Sequence, residues 1–155
     1  MSLRTALVAI ALLLLGIAIV SPHGSSSKGP YAADVVRSPG VLNPDVTQAN
    51  INATICVHGW TKTIRAPTSY TNALKRKQMR EYGVGGSLSD YQEDHLISLE
   101  LGGHPTDPRN LWPEPYPRAS EVDSIENDLN AKVCAGELSL EKAQRKESEL
   151  KHRDG

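Results

Sequence analysis

An aspartate and a histidine stand together at Asp94-His95, a glycine pair follows at Gly102-Gly103, and beyond it comes the string Asn110-Leu111-Trp112-Pro113. The first two residue types suit hydrolysis. A carboxylate offers hard oxygen donors to a cation such as Mg2+ or Mn2+. An imidazole with an unperturbed pKa near ~6.5 is largely neutral at pH 7 and can take a proton from water. Side chains on a strand alternate faces, so two adjacent groups reach one site only at a strand end or a bulge. The charge pattern agrees with a cation site. From Asp90 to Glu141 twelve carboxylates face three cations, Arg109, Arg118 and Lys132, and such a segment repels nucleic acid unless a bound cation inverts the local field.

The elements that must position these groups follow from periodicity. Alternation through Leu96 to Leu101, a glycine break and a new start at Asn110-Leu111 predict a strand, a turn and a second short strand, with Asp94-His95 at a strand end. A helix is expected from Ala119 to Cys134, with Val122, Ile125, Leu129 and Val133 as its buried stripe. At ~100° per residue, Glu126 and Asp123 flank that stripe and Asn127 looks outward. Upstream, Thr61 to Arg65 alternates like a strand, Ala66-Pro67 stops it, and Ser69 or Thr68 caps a helix from Tyr70 to Tyr82 that Gly83 ends. Between Thr61 and Arg80 lie six basic residues and no acidic one, in a chain of net charge −1. Lys75, Arg76 and Arg80 are expected on an exposed side, where they would neutralise phosphates without reading sequence; a plain solvated face is the alternative. Gly83-Val84-Gly85-Gly86 matches neither the P-loop nor the dinucleotide spacing and reads as a hinge.

The run Asp94-His95-Leu96-Ile97-Ser98-Leu99-Glu100-Leu101-Gly102-Gly103, followed by Asn110-Leu111-Trp112-Pro113, resembles the HNH nuclease signature and, more narrowly, a group of small exported bacterial HNH-like proteins. The resemblance spans about Tyr91 to Cys134. It implies a ββα-metal core holding one divalent cation, with Asp94 as a metal ligand and His95 as general base. Asn110, on the same resemblance, holds the loop by side-chain hydrogen bonds and orients His95. A further ligand is implied on the following helix, where Asp123, Glu126 and Asn127 are the candidates. Ser98 stands where the pattern usually has proline, and Pro113, Pro115 and Pro117 occupy the interval in which a further Asn or His usually follows. The implied cofactor is Mg2+ or Mn2+, with Zn2+ as the alternative. The implied partner is nucleic acid, DNA or RNA, with no stable protein partner.

At 155 residues, 39% of them hydrophobic, the chain fits one small domain with appendages. Ala6 to Val20 is an unbroken small or apolar run, shorter than the roughly twenty residues of a membrane span and suited to a secretory signal. Residues 1–22 are therefore expected to be a signal peptide, or an anchor if retained, which places the protein outside the cytoplasm. Residues 23–40, rich in Ser, Gly and Pro, read as a flexible linker with His23 exposed, and 41–155 as the HNH-like domain. Asn43-Pro44-Asp45 predicts a helix start running through Val46, Ala49, Ile51 and Ile55. In an exported protein Cys56 and Cys134 pair most simply as a disulfide, closing a loop of 78 residues and contributing about 4 kcal/mol by loop-closure entropy; a metal site using Cys56 and His58 is the weaker alternative. His104 reads as a loop residue and Trp112 as a core anchor. Ser139 caps a last helix, Leu140 to about Arg153, whose alternating charges suggest an edge position and a frayed end. The whole predicts an α+β fold on a small ββα-metal core with flanking helices and one disulfide. The expected function is metal-dependent cleavage of nucleic acid with low sequence specificity. The alternative is a catalytically inactive, disulfide-stabilised exported binding module on the same fold.

Overall fold

Two short strands, β1 (Tyr91–His95) and β2 (Leu111–Pro115), pair antiparallel with Gln92 opposite Glu114, Asp94 opposite Trp112 and His95 opposite Leu111. The structure is a computed structural model that describes residues 31–155; the expected signal segment 1–22 and the front of the linker, His23 included, lie outside the described residues. Four α-helices accompany the hairpin: α1 (Trp60–Ile64), α2 (Thr68–Tyr82), α3 (Arg118–Cys134) and α4 (Leu140–Arg153). The architecture is α+β. Helices α2 and α3 each pack on both strands, and α4 packs on α3.

The connection between the strands is built around Asn110, which is fully buried. Its Oδ1 accepts from the Ile97 amide at 3.0 Å, and its Nδ2 donates to the Ile97 and His104 carbonyls, both at 3.0 Å. A side chain thus stands in for a strand where the ladder ends, satisfying backbone groups that burial would otherwise leave unpaired. The glycines make room for it. A Cβ at Gly103 would overlap the Ile97 carbonyl oxygen and come within 2.7 Å of Asn110 Nδ2, and Gly102 turns the chain at φ +75.

The main apolar cluster joins Ile97 and Leu101 of this connection to Leu129 and Val133 of α3, Leu140 and Ala143 of α4, and Val46, Ile51 and Ile55. Cys56 and Cys134 form the disulfide, with Cα atoms 5.6 Å apart. It ties the segment before α1 to the last residue of α3.

Five expectations change. The alternating run from Leu96 to Leu101 is not a strand: β1 ends at His95, and the run forms the buried connection to β2 with a 3-10 turn at Leu99–Leu101. The segment after Asn43 is irregular, with only a 3-10 turn at Ile51–Ala53. Asn43 Oδ1 takes the Asp45 amide, Asn50 Oδ1 takes the Thr47 amide and Asn50 Nδ2 donates to the Asp45 carbonyl, and such local side-chain bonds compete with helix. Thr61 to Arg65 is mostly helix, not strand, because five residues carry too little periodicity to separate the two. The stretch from Tyr31 to Gly40 is not a free linker: Ala33 and Ser38 are fully buried, Ala33 N donates to the Lys151 carbonyl and Ser38 Oγ donates to the Leu111 carbonyl. Helix α4 keeps the expected span and Ser139 cap, but its end does not fray. Lys151, in its last turn, is fully buried.

Candidate functional site

A cleft of about 180 Å³ opens between the end of β1 and α3. Asp94 and His95 line it from the strand, Asp123, Glu126 and Asn127 line it from the helix, and Arg65, just after α1, joins them. His95 is 5% exposed. Its Nε2 lies 3.2 Å from the Pro105 carbonyl oxygen, which can only accept, so Nε2 carries the proton and Nδ1 the lone pair. Burial pushes the imidazole below its ordinary pKa, only partly offset by Asp94 and the Pro105 carbonyl. The ring is therefore neutral at pH 7, with a basic nitrogen at Nδ1.

Beneath the cleft lies a cation that belongs to the chain. Lys151 Nζ donates to Asp94 Oδ2 at 2.7 Å, Glu126 Oε1 at 2.5 Å and the His95 carbonyl at 2.5 Å, with Glu147 Oε1 at 3.5 Å. Burial disfavours the charged form of Asp94, but the Lys151 ammonium, then Glu114 and the hydrogen bond from Lys151, hold its carboxyl well below the usual range. Burial likewise works against the Lys151 ammonium and is outweighed by Asp94, Glu126 and Glu147. Glu126 and Glu147 are raised by burial against the pull of Lys151. Burial pushes Glu114 up to about 9, with Asp94 acting the same way. Both Glu114 oxygens are buried without a hydrogen-bond partner among the described residues, and its carboxyl stays protonated at neutral pH. The cluster thus centres on one ammonium and one firm carboxylate, with its glutamic acids biased toward the neutral form.

The basic helix is differently disposed from expectation. Arg76 and Arg80 are exposed, but Lys75 is buried and its Nζ donates to the Leu88 and Tyr91 carbonyls at 2.8 and 2.6 Å. Lys75 is a brace between α2 and the hairpin, and it partly offsets the burial that raises Glu93 to about 8. His104 is a loop residue whose Nδ1 accepts from the Thr106 and Asp107 amides, and Trp112 is a core residue at 2% exposure. Sequence reasoning missed Lys151, Glu114 and Arg65 as parts of the site. Glu114 stands two residues past Trp112, the partner of Asp94 across the ladder, so strand alternation flags it; for Lys151 no local pattern distinguishes it from other lysines of α4.

Carboxyl oxygens of Asp94 and Glu126 and the His95 carbonyl already hold the Lys151 ammonium at the inner wall of the cleft. Among the described residues no group of three or more His, Cys, Asp or Glu side chains is set to hold a metal ion. Mg2+ asks for less: one or two carboxylates, with water and substrate phosphate completing its shell. Asp94, whose Oδ1 accepts from Gln92 Nε2 at 3.3 Å, and Asp123 both line the cleft and are oxygen donors of that kind. Zn2+ favours nitrogen and sulfur ligands, and His95 Nδ1 is the one imidazole nitrogen among the residues lining this cleft. No family model, curated protein or solved structure matches the chain. A disulfide suits an extracellular or periplasmic compartment, and among the described residues no helix is long and apolar enough to cross a membrane.

Proposed function

We propose that the chain is an exported, HNH-like endonuclease that hydrolyses phosphodiester bonds in DNA, or in RNA, with low sequence specificity and the help of Mg2+ or Mn2+. The observation that carries this reading is the pairing, in one cleft, of a neutral imidazole whose Nδ1 is basic with carboxylates on the facing helix. His95 takes the proton of the attacking water at Nδ1, and its Nε2–H stays on the Pro105 carbonyl throughout. Asn110 fixes the loop that carries both Ile97 and His104, so the ring's neighbour along the chain cannot drift. Asp94 and Asp123 would hold the cation, with Glu126 and Asn127 beside them, and when bound it supplies Lewis-acid polarisation of the phosphate and stabilises the leaving oxygen. Arg76 and Arg80, exposed on α2, supply non-specific attraction for the backbone.

Plasmid nicking with Mg2+, Mn2+ or EDTA, run beside His95→Ala, tests the reading. The wild type should nick only with metal, and the variant should lose at least about 100-fold, the usual worth of a general base. One observation favours the rival, a catalytically silent exported binding module: the Lys151 ammonium already neutralises Asp94. Nucleic-acid binding with equal residual nicking in both proteins would select that rival.

A further inference from the structure

The position at which Asp94, Glu126 and the His95 carbonyl converge draws its oxygen donors from β1 and α3, and its occupant arrives from a third element, α4. Lysine has three N–H groups, and each has an acceptor here. Glu147, one turn earlier on α4, adds a fourth oxygen at 3.5 Å and is itself fixed by the Ser98 amide, which donates to Glu147 Oε1 at 2.9 Å. Lys151 and Glu147 are fully buried and Asp94 and Glu126 nearly so. The Asp94 carboxylate, the Glu126 and Glu147 carboxyls and a main-chain carbonyl are hard oxygen donors of the kind that takes Mg2+, Mn2+ or Ca2+ once the glutamic acids give up their protons to the incoming ion. Surface ion pairs do not have this completeness; a cation-binding shell does.

We propose that the Lys151 ammonium is a resident replacement for a metal ion: α4 carries the cation around which the inner wall of the cleft assembles, and removing that ammonium turns the position into a divalent-cation site. Two consequences follow. The cleft is formed without any metal, and a divalent ion assisting chemistry would be held by groups that line the cleft, Asp123 among them, and not at the inner position. The inference stands on the geometry of the cleft and not on hydrolysis, so it can fail or hold independently of the nuclease reading.

The test uses the full chain with Lys151→Ala, which opens the space of the side chain, and Lys151→Met, which removes the charge and keeps the space filled. Thermal melts in EDTA, MnCl2 and CaCl2 are paired with Mn2+ binding followed by electron paramagnetic resonance. The wild type should melt cooperatively in EDTA. Lys151→Ala should melt lower in EDTA, recover in Mn2+ by more than the wild type gains, and bind Mn2+ at least ten-fold more tightly than either the wild type or Lys151→Met. A purely electrostatic effect would tighten both variants alike, and that result overturns the proposal. So does a Lys151→Ala protein as stable in EDTA as the wild type, or one whose Mn2+ affinity is unchanged. If the alanine variant is unfolded in EDTA, Mn2+ should refold it by circular dichroism; failure to refold with either ion also overturns the proposal.

Discussion

Ser98 shows how a single backbone amide can commit a site. It stands where the HNH pattern usually carries proline, its φ of −61 would suit proline, and yet its N–H is the donor that meets buried Glu147. Ser98→Pro should therefore cost about 1–3 kcal/mol through loss of a buried hydrogen bond rather than through strain. Urea melts would show it, and a Glu147→Gln background should shrink the loss if that bond is the cause. Glu114 makes a second residue-scale prediction. Its carboxyl is protonated in the fold up to about 9, against an ordinary 4.5, so between those limits the native state binds the extra proton. Stability then falls as pH rises through that window. Melting temperature should decline from pH 5 to pH 9, and Glu114→Gln should flatten the decline; an unchanged slope would mean that Glu114 is ionised in the fold.

At the scale of elements, the long helices and the second strand were legible. α2, α3 and α4 lie within a few residues of their expected spans because an apolar stripe, a cap or a glycine marks each one, whereas the first strand runs over Tyr91–His95 and ends where the alternation that predicted it begins. The misses share a cause. In the segment after Asn43, side-chain amides outcompete the helix for backbone groups; α1 is too short to carry a period; and the depth of Lys75 and Lys151 is set by partners far away in the chain. Helix α1 buries no residue fully, yet it places Arg65 at the mouth of the cleft. The Arg65 guanidinium has no hydrogen bond or salt bridge among the described residues, although it feels His95, Glu100 and Asp123 electrostatically. An exposed cation free of partners at the rim of an acidic cleft suits a phosphate. Arg65→Ala should leave the melt unchanged, weaken binding to a DNA oligonucleotide in EDTA, and lower the salt dependence of that binding by about one unit of slope. Equal affinity and equal slope would remove Arg65 from the interface.

Across the whole molecule, the disulfide and α4 hold different parts of the structure around the cleft. Lys151 at the end of α4 closes the inner wall, while Cys56–Cys134 fastens the segment leading to α1 against the last residue of α3. A second recess of about 320 Å³, lined by both cysteines, His58 and Thr61, shares Glu100 and Asn127 with the cleft, so the staple borders surface continuous with the cleft. The apolar cluster reaches this region mainly through Ile55, Cys56 and Trp60, which is little burial for holding a helix in place. Replacing both cysteines by serine should lower stability by about 4 kcal/mol, the chain-entropy value for a loop of this length. The loss should not be spread evenly. Amide exchange should quicken most from Val57 to Ala66, where the staple does the holding, and much less in β1, β2 and the turn braced by Asn110. Oligonucleotide binding should weaken in the same direction as in Arg65→Ala, and adding Arg65→Ala to the serine protein should then have little further effect. Uniformly faster exchange across the domain, or full additivity of the two changes, would show that the disulfide stabilises the fold without positioning Arg65.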